Sequence, residues 1–153
     1  MRFFWKIRFP VLPKLVEGVI FLLFNSRIAA NVIIGKDTFF AYQGLSVVLV
    51  SGTIIGDNCS IGLRCSTIRI HPFKEVPKIG NNVWCGPNSI IAGPVIIEDD
   101  VIIAASAYVN KSVPKGAIVA GCPAKIIGWR KDLPYNIEDN PKYKEGIADY
   151  LTT

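Results

Sequence analysis

The chain is 153 residues long, half of it hydrophobic, with only 19% charged residues and a formal charge of +5. That length indicates one domain, and the composition excludes an intrinsically disordered chain. The basic excess is modest and Lys and Arg form no dense run, so an anionic small molecule or lipid surface fits better than nucleic acid.

The chain opens with "MRFFWKIRFPVLPKLVEGVIFLLF". Its apolar run Val19–Phe24 is too short to span a bilayer, and Glu17 lies just before it. No A-x-A-like cleavage site follows, so a signal peptide is not expected. Two readings stand. The segment caps the domain, or it rests on a membrane surface, because Arg2, Lys6 and Arg8 are interleaved with Phe3, Phe4, Trp5 and Phe9. The expected organisation is a cap or membrane-surface segment at 1–27, a repeat domain at 28–128 and a polar tail at 129–153.

From residue 34 a period of six governs the chain. Its anchors are Ile34, Phe40, Leu49, Ile55, Ile61, Thr67, Phe73, Ile79, Cys85, Ile91, Ile97, Ile103 and Val109. Small or β-branched residues mostly follow four positions later, and Gly or Ala often comes directly after the anchor. Six does not match a helical turn, and the segments are rich in Ile and Val. Asp-Asn, Asn-Asn and Glu-Asp-Asp tracts mark tight corners between anchors. The pattern predicts an all-β coil of short parallel strands, three hexapeptides per turn, each coil burying its inner face against its neighbours. Residues eighteen apart are then expected to stack: Ile55, Phe73, Ile91 and Val109 in one column, Ile61, Ile79 and Ile97 in another.

Two breaks interrupt the rhythm. Between Phe40 and Leu49 three residues are inserted, around Gln43–Ser46. Between Thr67 and Ile79 the spacing is twelve, but Pro77 stands where a small inward residue belongs and has no N–H for a strand ladder. Pro72–Pro77 is therefore expected to leave the coil as a loop, with His71, the sole histidine, at its root.

The four cysteines form no C-x-x-C pair and have no second histidine to complete a zinc set, so no metal site is expected. Cys59, Cys65 and Cys85 read as small buried residues in a reducing compartment, which points to the cytoplasm, with membrane-peripheral attachment as the variant. After Val113 come turn signals and a last apolar segment. In the polar tail, Asn140-Pro141 is placed to start a short helix.

The hexapeptides, "HPF", "IGNNVW" and "NKSVPKGAIVAGCPAKIIG" resemble the hexapeptide-repeat acyltransferases, over roughly residues 31–131. The resemblance implies a left-handed parallel β-helix, acetyl-CoA as acyl donor, and a homotrimer with active sites at subunit interfaces. The order His71-Pro72-Phe73 before Ile79–Trp84 is similar to maltose- and galactoside-type O-acetyltransferases. "FAYQGLSVV" and "EVPKIGNN" also resemble serine acetyltransferases and related capsule-sugar O-acetyltransferases. Where serine acetyltransferases carry an Asp-His pair, this chain has Tyr42 and Gln43.

By this resemblance His71 is the catalytic base, and Trp84 lines the groove with Gly86, Asn88, Gln43 and Tyr42 on the acceptor and oxyanion side. Ser89 is a further candidate donor. The cofactor would run past Ala104 and Ala105, with Asn110 and Lys111 further along and Lys125 near the phosphates, helped by Arg130 or Lys131. The chemistry is consistent: an attacking hydroxyl needs a base, a developing oxyanion needs a donor, and phosphates attract cations. The expected activity is acetyl transfer to a hydroxyl of a sugar or cell-surface polysaccharide precursor. A serine acetyltransferase-like enzyme and a non-catalytic β-helix scaffold are the alternatives.

Overall fold

The computed structural model describes residues 11–133; the tail helix expected at Asn140-Pro141 and the basic residues Arg2, Lys6 and Arg8 lie outside them. After an N-terminal helix, α1 (Val11–Phe24), the chain winds as a prism with three sheet faces, visited in the order A, B, C. Face A stacks Arg27–Ile28, Val48–Leu49, Ser66–Ile68, Ile90–Ala92 and Tyr108–Val109. Face B stacks Ile33–Ile34, Ile54–Ile55, Lys78–Ile79 and Ile96–Ile97. Face C stacks Phe39–Phe40, Ser60–Ile61, Trp84–Cys85, Ile102–Ile103 and Ala117–Ala120, all parallel, and closes with the antiparallel strand Lys125–Trp129.

Strands of two or three residues suffice because side chains alternate across a strand. From Leu49 onward the anchor of each rung points inward and the residue before it points out; Ile34, in the first coil, is an exception and is exposed. Inside, Leu49, Thr67, Ile91 and Val109 form the column of face A. Ile55, Ile79 and Ile97 form that of face B. Ile61, Cys85, Ile103 and Val119 form that of face C. All of these are buried. Each buried Leu, Ile or Val contributes about 1.5–3 kcal/mol. Small residues such as Thr53, Cys59, Cys65, Val83 and Ala107 fill the corners between columns.

These columns correct the expected stacking. Ile55 lies on Ile79, not on Phe73, and Ile61 lies on Cys85, not on Ile79. The cause is the loop after Ile70. Its residues make no ladder, so the twelve-residue gap contains one rung and one excursion, and the partners across it are twenty-four apart. Phe73 is accordingly half exposed, while Pro77 is buried where the chain re-enters the prism. Beyond the loop, Ile79 stacks on Ile97 and Ile91 on Val109 as expected. The three-residue insertion is a tight turn at Ala41–Gly44.

The corners bend through left-handed backbone. Between faces B and C, Asp37, Asn58, Asn82 and Asp100 have φ of 56, 54, 55 and 61°. Asn and Asp tolerate this region better than other side-chain-bearing residues. Their neighbours form a ladder: the Asp57 carboxylate accepts from Lys36 N–H at 2.6 Å, Asn81 Oδ1 from Asp57 N–H at 2.9 Å, and Asp99 from Asn81 N–H at 2.7 Å.

Of the apolar N-terminal segment, Val11–Phe24 is a helix. Pro13 falls in its first turn, where proline is tolerated. Asn25, left-handed at φ 51°, ends it and donates to the Phe21 carbonyl at 2.9 Å. Buried Ser26 ties the helix end to the coil, donating to the Phe24 and Gly44 carbonyls and accepting from Val47 N–H at 2.9 Å. The Glu17 carboxylate accepts from Ala30 N–H at 2.6 Å. No helix among the described residues is long and apolar enough to cross a membrane.

Candidate active site

His71 sits at the edge between faces A and B, in the stretch linking Ser66–Ile68 to Lys78–Ile79. Two side chains pin this excursion. A Cβ on Gly93 would stand 3.2 Å from Ile70 Cδ1, and a Cβ on Gly52 would stand 3.4 Å from Val76 Cγ2. Ile70 and Val76 thus rest on the glycine corners of the neighbouring coils. Between them, Phe73 N–H closes a turn onto the Ile70 carbonyl at 2.9 Å. His71, Pro72, Phe73, Lys74 and Glu75 are all exposed. The loop therefore presents the imidazole to solvent.

The edge between faces C and A gathers most of the acceptor- and cofactor-side candidates. Tyr42 and Gln43 lie in the turn at its start, both exposed. Successive turns stack beneath them: Arg64 N–H bonds the Leu45 carbonyl at 3.1 Å, Asn88 N–H the Leu63 carbonyl at 2.8 Å, and Ser106 N–H the Pro87 carbonyl at 2.8 Å. Gly86 and Ala105 belong to this stack. A Cβ on Gly86 would come within 2.5 Å of Ala105 N, so only glycine fits against Ala104 and Ala105. Lys125 opens the closing strand, paired with Ala120 at the same edge.

Trp84 stands apart from both groups, on the outer side of face C between Ser60 and Ile102, and is 42% exposed. Face C is opposite the A–B edge, so a single chain does not bring Trp84 to His71. Asn110 and Lys111 lie at the A–B edge after Tyr108–Val109, one coil beyond the Gly93 corner, separated by face A from Ala104, Ala105 and Lys125. Arg130 is held at the B–C edge, its Nη1 donating to the Asn82 carbonyl at 2.8 Å, and so lies across face C from Lys125. Ser89 is not a donor to any groove: it is buried, its hydroxyl 3.4 Å from Cys65 Sγ.

Two cations escape a sequence reading. Arg27 and Arg69 border a cleft of about 360 Å³ on face A with Val48, Val50 and Ser51. They are forty-two residues apart, and only the stacking of coils makes them neighbours of one cleft. Arg69 is also two residues from His71.

Inside the prism the thiols of Cys59, Cys65 and Cys85 are buried, while Cys122 is exposed. Burial pushes the Cys59 thiol up. The hydrogen bond with Cys65, with burial added, pushes Cys85 well up.

The sequence profile "Bacterial transferase hexapeptide (six repeats)" matches residues 77–111, and "Hexapeptide repeat of succinyl-transferase" matches residues 52–70. A serine acetyltransferase of Synechococcus elongatus is 30% identical over 125 residues, 80% of this chain and 51% of that protein. The galactoside O-acetyltransferase of Escherichia coli is 32% identical over 124 residues, 73% of this chain and 59% of that protein. Among solved structures, the soybean serine acetyltransferase apoenzyme superposes with a TM-score of 0.75 at 26% identity, covering 80% of this chain and 51% of that one. The serine acetyltransferase of Brucella abortus gives 0.76 at 25%, covering 82% and 51%. The chain spans about half the length of these serine acetyltransferases. Repeat, prism and relatives agree: the chain carries transferase-type hexapeptide repeats over residues 52–70 and 77–111, is similar to acetyltransferases built on them, and has the fold of a left-handed parallel β-helix.

Proposed function

We propose that the protein is a CoA-dependent O-acetyltransferase that uses His71 as general base on the hydroxyl of a sugar or polysaccharide precursor. The observation that carries this reading is the pinned loop: Ile70 and Val76 hold a segment out of the coil, and that segment bears the only imidazole in the chain. The imidazole takes the hydroxyl proton as the oxygen attacks the thioester carbonyl. The C–S bond then breaks, and the proton passes from the imidazolium to the departing CoA thiolate. Such base catalysis is worth about 10²–10⁴-fold. Along the C–A edge, the small residues Gly86, Ala104 and Ala105 leave room for the cofactor arm, and Lys125 would meet a phosphate.

His71 and Trp84 lie on opposite parts of the prism, so a site using both is built between copies. A cyclic trimer supplies three such sites. This arrangement is part of the proposal.

The C–A edge favours an acceptor without an ammonium group. Its turns, residues 41–46, 62–65, 86–89 and 104–107, contain no Asp or Glu, and offer Tyr42, Gln43 and Asn88 as neutral hydrogen-bonding groups. The serine acetyltransferases among the relatives favour a second reading, serine as acceptor. Purified protein incubated with acetyl-CoA and a panel of serine, hexosides, amino sugars and nucleotide sugars, with free thiol followed, separates the two. Turnover with a sugar, lost at least a hundredfold in His71→Ala, supports the first reading. Turnover with serine alone supports the second. Absence of both turnover and acetyl-CoA binding leaves a non-catalytic scaffold.

A further inference from the structure

We propose that the outward face of α1 is a docking surface for an anionic lipid bilayer. The helix is apolar nearly all round and exposes Leu15, Val19, Leu22 and Leu23; Phe21 is exposed as well, beside a shallow cleft it lines with Lys14, Glu17 and Arg27. Leu22 and Leu23 are 82% and 66% exposed, and stand side by side with Phe21 at the end of the helix. An apolar patch of this kind, confined to one terminal helix, needs a cover.

The charges around it specify that cover. The one acidic residue of α1, Glu17, is turned inward and spent on the Ala30 N–H of the first coil. The remaining charged side chain on the helix is Lys14, exposed, and Arg27 follows just beyond the helix end. The preceding sequence adds Arg2, Lys6 and Arg8, and residues 1–16 contain no Asp or Glu at all. An apolar face bordered by Lys14 and Arg27, with its one carboxylate bonded to the coil, matches an anionic interface, where hydrocarbon takes the leucines and headgroups take the Lys and Arg side chains. A second copy of the same helix would instead set cations against cations. The 14 described residues of the helix are too few to cross a bilayer, so the proposal lays them on its surface.

The test is cosedimentation of the full chain with vesicles of equal parts phosphatidylglycerol and phosphatidylcholine. Binding is expected. It should fall by about tenfold or more on pure phosphatidylcholine vesicles, or when salt is raised to about 0.5 M. Leu22→Glu with Leu23→Glu should abolish it. Both side chains already project into solvent, so the variant's far-UV spectrum and melting temperature should match those of the parent. A vesicle fraction unchanged by the double variant, or equal on neutral and anionic vesicles, overturns the proposal. So does an absence of vesicle binding joined to a concentration-dependent assembly that the double variant disrupts, which assigns the face to a second copy.

Discussion

His71 stands on the A–B edge of the prism, and Trp84 stands on face C, which that edge faces away from. No loop movement within one chain closes that separation, because the buried columns between them are the core itself. If the site uses both residues, each copy supplies one. His71→Ala and Trp84→Ala should then each lose activity, the first by about 10²–10⁴-fold. Refolding the two variants together should restore turnover at interfaces that pair an intact His71 with an intact Trp84. Activity of the refolded mixture no higher than that of either variant would place both residues' roles within one chain.

Tyr42, Gln43 and Gly44 occupy left-handed backbone in succession, at φ 52, 59 and 76°. For Tyr and Gln this costs of order 1–3 kcal/mol each. The same left-handed backbone recurs at Arg64, Asn88 and Ser106 along this edge, so the turn sets it, while the two side chains stand exposed where the proposed function puts the acceptor. Gln43→Gly should leave the melting temperature unchanged or raise it, by about 1 kcal/mol in stability, while acceptor KM rises. A substitution that lowers stability and leaves KM alone would assign Gln43 to the fold.

Inside the prism, the hydroxyls of Thr53 and Thr67 lie 2.9 Å apart, and both residues are fully buried. Thr67 Oγ1 also accepts from Val50 N–H at 3.2 Å. Thr67→Val keeps the shape and leaves the Thr53 hydroxyl without this partner and the Val50 N–H without this acceptor, a loss of about 1–3 kcal/mol for an unmet buried group. Thr53→Val combined with Thr67→Val should cost less than the sum of the single changes, since the two share one interaction. Urea denaturation of the three variants measures this.

Burial, and for Cys85 its bond with Cys65, hold the Cys59 and Cys85 thiols above the ordinary value of 9.0. A group raised in the folded state loses its proton first in the unfolded chain. Its contribution to stability is therefore intact below pH 9.0 and declines as pH rises beyond it. Thermal melts between neutral pH and strongly alkaline pH should show a steeper fall for the parent than for Cys85→Ala. Parallel slopes would remove Cys85 as a source of the alkaline loss.

The sequence by itself determined the coil, most of its inward anchors and the burial of Cys59, Cys65 and Cys85, because a period of six in Ile and Val admits few ways to hide those residues. It also marked the loop at Pro72–Pro77, since Pro77 has no N–H for a ladder. The tertiary structure decided which rungs stack. A run of six residues counts as a rung or as an excursion only once the ladder partners are known, and Ile55 meets Ile79 because Phe73 is outside. It also decided that Val11–Phe24 is a helix, whose continuous apolar run has no clear helical period to read. Finally, it sorted the candidate residues among edges. Gly86, Ala104, Ala105 and Lys125 share one edge, Asn110 and Lys111 join His71 on another, and Arg27 meets Arg69 across face A. Linear spacing carries no such information, because three-residue and six-residue insertions each change which residues of successive coils lie over one another.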